Sequence, residues 1–298
     1  MIRTSCPLRT TRVPGRLRTA ALASVLLACS LSVHAASATL DRIRQTGTIQ
    51  LAYREGAAPF SFRDRDGGVR GYSVELCERV AQSVGKALGV GAVKISWKPV
   101  DASTRLDAVS SGAADIECGT TTITLARMEK VDFSVPVFVD GGSVLVRADS
   151  KLSRLVDLKR RRVAVIPGTT TEQALVAQLN ALESPATLVP VKDGAEGLAQ
   201  LIAGKVDGYA GDRIVLTTLR QRAAKPATLS FVDSDFSFEP YALVVRRDDP
   251  DFRLAVNRAI VGIYRSGEID PIFQRWFAAY GQPGALLHAM FYLNRLPE

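Results

Sequence analysis

Histidine is scarce in this sequence, with two residues in 298. His34 lies near the end of an amino-terminal leader, so His288 is the only histidine in the rest of the chain. His288 follows the last predicted helix, in a tail, so neither a Ser-His-Asp arrangement nor a histidine-based metal site can be assembled around it. The sequence therefore predicts a protein that is not an enzyme and has no catalytic residues, metal site or cofactor. Catalysis by carboxylates alone stays open at Glu75, Glu117 and Asp140.

Cysteine is also rare, and two of the four residues, Cys6 and Cys29, lie in the leader. Cys77 and Cys118 remain in the mature chain. In an oxidising compartment such a pair forms a disulfide, but small apolar positions also hold buried free thiols. The sequence leaves both alternatives open.

Acidic residues are absent from the leader, which carries five arginines. The apolar run Ala20–Val33 and small residues follow, which is the order of a secretory signal peptide, and the run is too short to span a bilayer. We predict a signal peptide over residues 1–35 and a periplasmic mature protein. Because the residues before Cys29 resemble a lipobox, lipid anchoring at Cys29 is the alternative.

The basic excess of the whole chain belongs largely to this leader. The net charge of +8 counts 38 basic and 30 acidic residues. Without the five leader arginines, 33 basic residues remain and the net charge is +3. Such a charge gives no case for nucleic acid, so we expect no nucleic-acid partner.

Strand and helix patterns alternate along the mature chain. A short helical pattern ends at Gly47, and Thr48–Tyr53 continues as a strand. Two such series, separated by β-rich runs, predict an α/β fold with two lobes joined by two crossover strands. The predicted parts are lobe 1 (residues 36–140 and 243–280), lobe 2 (residues 141–242, with hinge strands at its ends) and a C-terminal tail (residues 281–298) that follows a last helix at Pro271–Phe277.

An internal repeat supports two similar lobes. Five residues recur 92 positions later, and each copy has the pattern helix, glycine, strand, glycine. A match of five positions also arises by chance, because a helix followed by a glycine and a strand is common in α/β proteins. The repeat makes Asp212 the positional partner of Thr120. Its residues are Leu106, Val109, Gly112, Asp115 and Gly119 in the first copy, and Leu198, Leu201, Gly204, Asp207 and Gly211 in the second.

The segment over residues 112–127 combines the donors that a carboxylate requires. An apolar strand ends at Gly119 and is followed by three threonines, including Thr120 and Thr122, and then by a helical pattern that contains Arg127. Helix-start N–H groups, hydroxyls and a guanidinium together favour an anion. The alternative is a capped helix with a solvent-facing arginine.

Facing donors and charges come from elsewhere in the chain. Thr169 and Thr170 form a second strand-to-helix turn in lobe 2, and Asp212 ends a strand, where it either accepts from an ammonium group or caps a helix. Arg54 follows a strand and either faces the cleft or is a solvated loop arginine. The ring of Phe60, like that of Phe62, either walls the cleft or belongs to the core.

The residues from Thr39 to Phe277 resemble the periplasmic solute-binding proteins of polar amino acid ABC importers. The resemblance rests on TLDRIRQTGTIQLAYREGAAPFSF, RGYSVELC, DIECGTTTITLARMEKVDFS and VAVIPGTTTEQAL. It points most closely to the glutamate/aspartate-binding branch of family 3. It implies the two-lobed type II periplasmic binding protein fold, hinged closure on an L-amino acid, delivery to a membrane permease, and a monomer.

The resemblance also implies a role for each candidate residue. Arg127, Thr122 and Thr120, with Thr169 or Thr170, would hold the ligand's α-carboxylate. Asp212 would take its ammonium group, and Arg54 would face the carboxylate of an acidic side chain.

One position departs from the branch. Gly194 stands where the branch has a histidine that helps to hold the acidic side chain, which puts glutamate/aspartate specificity in doubt. Two rival functions stay open: an enzyme similar to cyclohexadienyl dehydratase on the same fold, and a ligand sensor for a membrane receptor.

Overall fold

The computed structural model describes residues 37–297, in which strands and helices alternate as predicted. The predicted signal peptide and the alternative anchor at Cys29 lie outside the described residues. Among the described residues, no helix has the length and apolar character needed to cross a membrane. The helices are α1 (Ala38–Thr46), α2 (Tyr72–Ala87), α3 (Arg105–Ser110), α4 (Leu125–Met128), α5 (Thr170–Ala181), α6 (Gly194–Ile202), α7 (Arg213–Arg222), α8 (Pro250–Ser266), α9 (Ile269–Phe277) and α10 (Ala285–Leu293).

The strands form two five-stranded sheets, one in each lobe, and two smaller sheets. They are β1 (Thr48–Arg54), β2 (Gly56–Ala57), β3 (Ser61–Arg63), β4 (Val69–Arg70), β5 (Lys94–Val100), β6 (Ile116–Glu117), β7 (Asp132–Phe133), β8 (Phe138–Asp140), β9 (Gly142–Arg147), β10 (Arg162–Val165), β11 (Thr187–Pro190), β12 (Gly208–Asp212), β13 (Leu229–Phe231), β14 (Glu239–Tyr241) and β15 (Val244–Val245).

The sheet of lobe 1 has the strand order β5-β1-β6-β15-β7. Strand β1 lies parallel to β5 and β6, whereas β15 lies antiparallel to β6 and β7. Its apolar side chains, such as Leu51, pack with Leu76 of α2 and Ile260 of α8 in one core. Since β15 comes late in the chain, this lobe is built from two separate parts of the sequence.

The sheet of lobe 2 has the order β11-β10-β12-β9-β13 and its own core, which includes Val163 and Leu175. The chain passes between the two sheets through β8 and β14. These two strands pair antiparallel, with Asp140 opposite Glu239 and Phe138 opposite Tyr241. The protein is therefore a two-lobed α/β protein joined by two crossover strands, and we propose the lobe limits at residues 140 and 243.

The internal repeat has the same hydrogen bonds in both lobes. In lobe 1, Asp115 donates its N–H to the carbonyl of Gln50 at 2.7 Å, and Gln50 returns its N–H to the Asp115 carboxylate at 2.8 Å. In lobe 2, Asp207 and Arg162 make the equivalent pair at 2.7 and 2.9 Å. Each aspartate thus fixes the start of a central strand, β6 or β12, against its parallel neighbour, β1 or β10.

The predicted end of α1 at Gly47 is confirmed, since Gly47 has φ 63° and its N–H donates to the carbonyl of Ile43. Nothing lies within 4 Å of a Cβ added there. We expect Gly47→Ala to lower the free energy of unfolding by about 1 kcal/mol through backbone strain alone. Urea denaturation measures the change.

Gly262 is the matched control for this substitution. It lies within α8, is exposed, and also has open space around an added Cβ. Because its backbone is helical, Gly262→Ala should raise the free energy of unfolding by about 0.8 kcal/mol. Effects of the same sign at both glycines would contradict the assignment of the cost to left-handed backbone.

The predicted helix end at Phe277 is confirmed by α9, but the prediction that this helix is the last one is wrong. Residues Ala285–Leu293 form α10, which includes His288, within the segment predicted as a tail. Leu287, Met290 and Phe291 of this helix are buried in the lobe 1 core. The segment ALLHAMFYL has no polar stripe at helical spacing, so the periodicity that identifies an amphipathic helix is missing.

Candidate functional site

Threonine hydroxyls from both lobes meet at a carboxylate in crossover strand β14. Thr122, which follows β6, and Thr170, the first residue of α5, place their Oγ1 atoms 3.0 Å apart. Both hydroxyls donate to Glu239 Oε2, at 2.5 and 2.7 Å. The lobes are therefore in contact across the cleft, and two of the predicted ligand-binding residues lie side by side.

Arg127 points back into this site. Its Nη1 donates to the carbonyl of Thr122 at 2.7 Å, and its backbone N–H donates to the capping hydroxyl of Thr124 at 3.1 Å. Burial lowers the pKa of the Arg127 guanidinium, and the nearby carboxylates, Glu239 first, oppose that shift. The guanidinium is thus half-buried and bonded to the chain that follows β6, while α4 is capped by Thr124 as the alternative interpretation expected. The helix-start N–H at residue 127 is already bonded to Thr124.

Arg54 and Thr120 are also brought together. Arg54 ends β1, is half-buried, and donates from Nη1 to Thr120 Oγ1 at 3.2 Å. Among the described residues, the Thr120 hydroxyl hydrogen has no acceptor. Arg54 therefore faces the cleft instead of bulk solvent, and it leaves the Thr120 hydroxyl able to donate.

Asp212 occupies the N-cap position of α7 but makes no side-chain capping hydrogen bond. Its Oδ1 accepts from Thr171 Oγ1 of lobe 2 at 2.9 Å, and its charge helps to raise the pKa of Tyr241, whose hydroxyl donates to Asp140 at 3.4 Å. The capping interpretation of Asp212 is therefore wrong.

Thr169 lines a small cavity between the lobes, but its hydroxyl is not part of this network. Its hydroxyl donates to the carbonyl of Ile166 at 2.8 Å and accepts from the N–H of Glu172 at 3.1 Å, as the cap of α5. The hydroxyl hydrogen is therefore already donated within the turn. Of the alternatives Thr169 and Thr170, the hydroxyl that reaches the other lobe is that of Thr170.

A small cavity of about 30 Å³ remains between the lobes. Its lining includes Arg54, Thr171 and Asp212. Such a volume holds about two water molecules. A ligand of amino acid size therefore requires the lobes to separate and close again around it.

A second, larger cavity of about 680 Å³ shares Arg54 and Gly194 with the small one. Phe62 lines the larger cavity and contacts the ring of Trp276. Phe60, in contrast, is fully buried in the lobe 1 core. Of the two alternatives left open for each ring, Phe62 therefore lies in a cavity wall and Phe60 belongs to the core.

Two buried charges beside the site were not assigned to ligand binding by sequence reasoning. Arg105 of α3 is 3% exposed, and burial, with Arg54 and Arg127 nearby, lowers its pKa to about 10. Glu117 of β6 is fully buried, accepts from Thr121 at 2.7 Å, and has its pKa raised by burial. Arg105 Nε and Glu117 Oε1 have no hydrogen-bond partner among the described residues. No signal in the sequence pointed to Arg105, because a charged residue in a short helix is usually solvated.

The other carboxylates that left catalysis open have structural partners. Glu75 joins α2 to α9, because both Arg275 and the indole of Trp276 donate to it. Asp140 in β8 accepts from the N–H of Ile214 at 3.2 Å, and burial raises its pKa well above the usual range, with Asp212 adding to the effect.

Cys77 and Cys118 form a disulfide, which decides between the two alternatives that the sequence left open. The bond joins α2 to the residue that follows β6, with 6.2 Å between the two Cα atoms. It therefore fixes the strand end from which the segment of threonines begins.

Comparison with known proteins gives consistent matches. The family model of bacterial extracellular solute-binding proteins, family 3, matches residues 49–279. An L-glutamate/L-aspartate-binding protein of Pseudomonas aeruginosa is 32% identical, with 89% of this chain and 88% of the relative covered. A glutamate/aspartate import solute-binding protein of Escherichia coli K12 is 29% identical, with 86% and 85% covered. Among solved structures, an ancestral amino acid-binding protein described as a precursor of cyclohexadienyl dehydratase superposes with a TM-score of 0.69 at 30% identity, with 80% of this chain and 99% of that chain covered.

Proposed function

The chain belongs to the bacterial extracellular solute-binding proteins of family 3, and from that membership we propose that it binds an L-amino acid between its lobes. Glutamate or aspartate is the first choice. The mature protein would act in the periplasm as a monomer and deliver the ligand to the membrane permease of an ABC importer. The observation that carries the proposal is the grouping of three arginines, Arg54, Arg105 and Arg127, near Asp212. The carboxylate of Asp212 makes no capping hydrogen bond with α7.

The two charged groups common to all amino acids have matching partners. Arg127 is the partner for the α-carboxylate, because its planar guanidinium provides paired donors and it is already desolvated. The Thr120 hydroxyl has a hydrogen left to add to that contact. Asp212 is the partner for the α-ammonium group, since its carboxylate makes no capping contact with α7.

A second carboxylate on the ligand would meet Arg54 and Arg105. Arg105 is nearly fully buried with an unpartnered Nε, and an unpaired buried donor costs free energy until an acceptor arrives. A neutral ligand would leave that cost in place. The pair of arginines therefore favours an acidic side chain even though Gly194 supplies no contact.

Calorimetric titration of the mature protein with the common L-amino acids tests this function. We expect saturable binding of L-glutamate or L-aspartate, with one ligand per chain. Binding of a neutral or basic amino acid in place of both acids would refute the acidic assignment and keep the amino acid-binding function. No binding of any amino acid would refute the function itself.

Replacing Arg54 with alanine separates recognition of the side chain from recognition of the backbone. We expect Arg54→Ala to weaken binding of acidic amino acids by ten- to a hundredfold, about 1.4 to 2.8 kcal/mol, because one charged contact is lost. Binding of a neutral amino acid, where detectable, should be unchanged. Arg220→Ala is the control, since Arg220 bonds to the carbonyl of Pro226 on the surface. Equal losses for acidic and neutral ligands would contradict the assignment of Arg54.

An enzyme on the same scaffold is the second candidate. It is favoured by the buried Glu117, whose raised pKa suits an acid, and by the similarity to the ancestor of a dehydratase. Turnover of prephenate or arogenate would support it. Saturable binding of an intact amino acid without turnover would support the binding protein.

A further inference from the structure

Glu239 connects the two lobes and the crossover strand through a single carboxylate. It is 1% exposed and lies in β14. Its Oε2 accepts the hydroxyls of Thr122 and Thr170, one from each lobe, while its Oε1 accepts the hydroxyl of Ser237 at 2.8 Å. The backbone N–H of Gly142 donates to Ser237 at 2.8 Å and holds it in place. The carboxylate is thus fixed from the crossover side and directed at the cleft.

The number of hydroxyl hydrogens limits what these threonines can offer a ligand. Each threonine hydroxyl has one hydrogen and two lone pairs. The two hydrogens serve three contacts, one from each hydroxyl to Glu239 and one between the hydroxyls at 3.0 Å, so neither hydrogen is left for a ligand. Lone pairs therefore remain for the ligand, and they suit a donor such as an ammonium group and disfavour a carboxylate.

Charge acts in the same direction as hydrogen bonding. Glu239 brings a carboxylate to the end of the cleft where Thr122 and Thr170 meet, and it is the strongest carboxylate influence on Arg127. A second anion placed against the two threonine oxygens would be repelled by Glu239. A cation placed there would be attracted.

We propose that Glu239 is a positioning residue that sets the hydroxyls of Thr122 and Thr170 as hydrogen-bond acceptors, and so selects ligands that carry an α-ammonium group. The inference rests on the proposed amino acid-binding function. It also changes the role of Thr122 and Thr170, which the family resemblance had assigned to the α-carboxylate. The threonine hydroxyls set by Glu239 and the carboxylate of Asp212 would then meet the ammonium group from different elements.

The test compares L-glutamate with glutarate, which has the same two carboxylates and no amino group. In the unmodified mature protein we expect calorimetry to give at least a hundredfold tighter binding of glutamate. In Glu239→Gln that ratio should fall at least tenfold, because the amide can donate to the threonine oxygens and release their hydrogens toward the ligand. A purely structural role would weaken both ligands equally and leave the ratio unchanged.

Two further variants complete the experiment. Glu268→Gln makes the same chemical change at a surface ion pair with Arg79 and should leave the ratio unchanged. Thr170→Val removes one acceptor and one hydrogen bond to Glu239 but keeps the carboxylate itself. It should therefore also lower the ratio, and it gives the answer if Glu239→Gln does not fold.

The outcomes separate the two proposals. If the unmodified protein binds neither compound, the acidic-ligand function is overturned together with this inference. If it binds glutamate and the ratio stays constant in the Gln variant, or in the Val variant where the Gln variant does not fold, the role of Glu239 alone is overturned.

Discussion

Replacing Arg127 with alanine is expected to weaken the binding of every amino acid by about a thousandfold, about 4 kcal/mol. The size follows from the position of the guanidinium, which is partly desolvated in the closed cleft and held by the carbonyl of Thr122 at 2.7 Å. Removing it leaves the α-carboxylate of the ligand without its charged partner in a poorly solvated site. Calorimetric titration of the variant measures the loss.

Two variants control this experiment. Arg127→Lys keeps the positive charge without the planar pair of donors, so it should recover part of the affinity and not all of it. Arg44→Ala removes an arginine from an exposed ion pair with Asp41 and should bind like the unmodified protein. A loss in Arg127→Ala that is confined to acidic ligands would contradict its assignment to the α-carboxylate.

Removing the disulfide is expected to cause the largest change in stability. A variant with both Cys77→Ala and Cys118→Ala should lose about 4 kcal/mol, because the bond closes a loop with a sequence separation of 41 residues. For a protein of this size the melting temperature should fall by about 10 °C. Alanine is preferred to serine because both positions are fully buried and a hydroxyl there would need a partner.

The comparison with a reducing agent identifies the cause of this loss. Dithiothreitol should lower the melting temperature of the unmodified protein and leave that of the double variant unchanged. A double variant as stable as the unmodified protein would show that the loop is held by packing alone.

Much of the fold could be predicted from local signals. The alternation of strand and helix patterns, the stop at Gly47 and the spacing of Asp115 and Asp207 are properties of neighbouring residues, and the structure contains each of them. The prediction failed at α10, because a helix that is apolar on most sides has no periodic stripe to reveal it.

The residues of the candidate site also fall into those that local sequence signals reveal and those that they do not. Arg54, Thr120, Thr122, Thr170, Arg127 and Asp212 could be selected because each follows a strand or opens a helix. Arg105 and Glu239 could not, because a charged residue within a regular element is usually solvated, and only tertiary packing places these two beside the cleft.

The sequence by itself determined the types of group available in the cleft: guanidinium donors, threonine hydroxyls and an aspartate at a strand end. The tertiary structure decided how those groups are used. Whether a hydroxyl donates to a ligand or accepts from it depends on where its single hydrogen has gone, and the hydrogens of Thr122 and Thr170 serve contacts with each other and with Glu239, more than 65 residues away in sequence. A contact between residues so far apart in sequence has no local signal, because it forms only when both lobes and the crossover strand have come together.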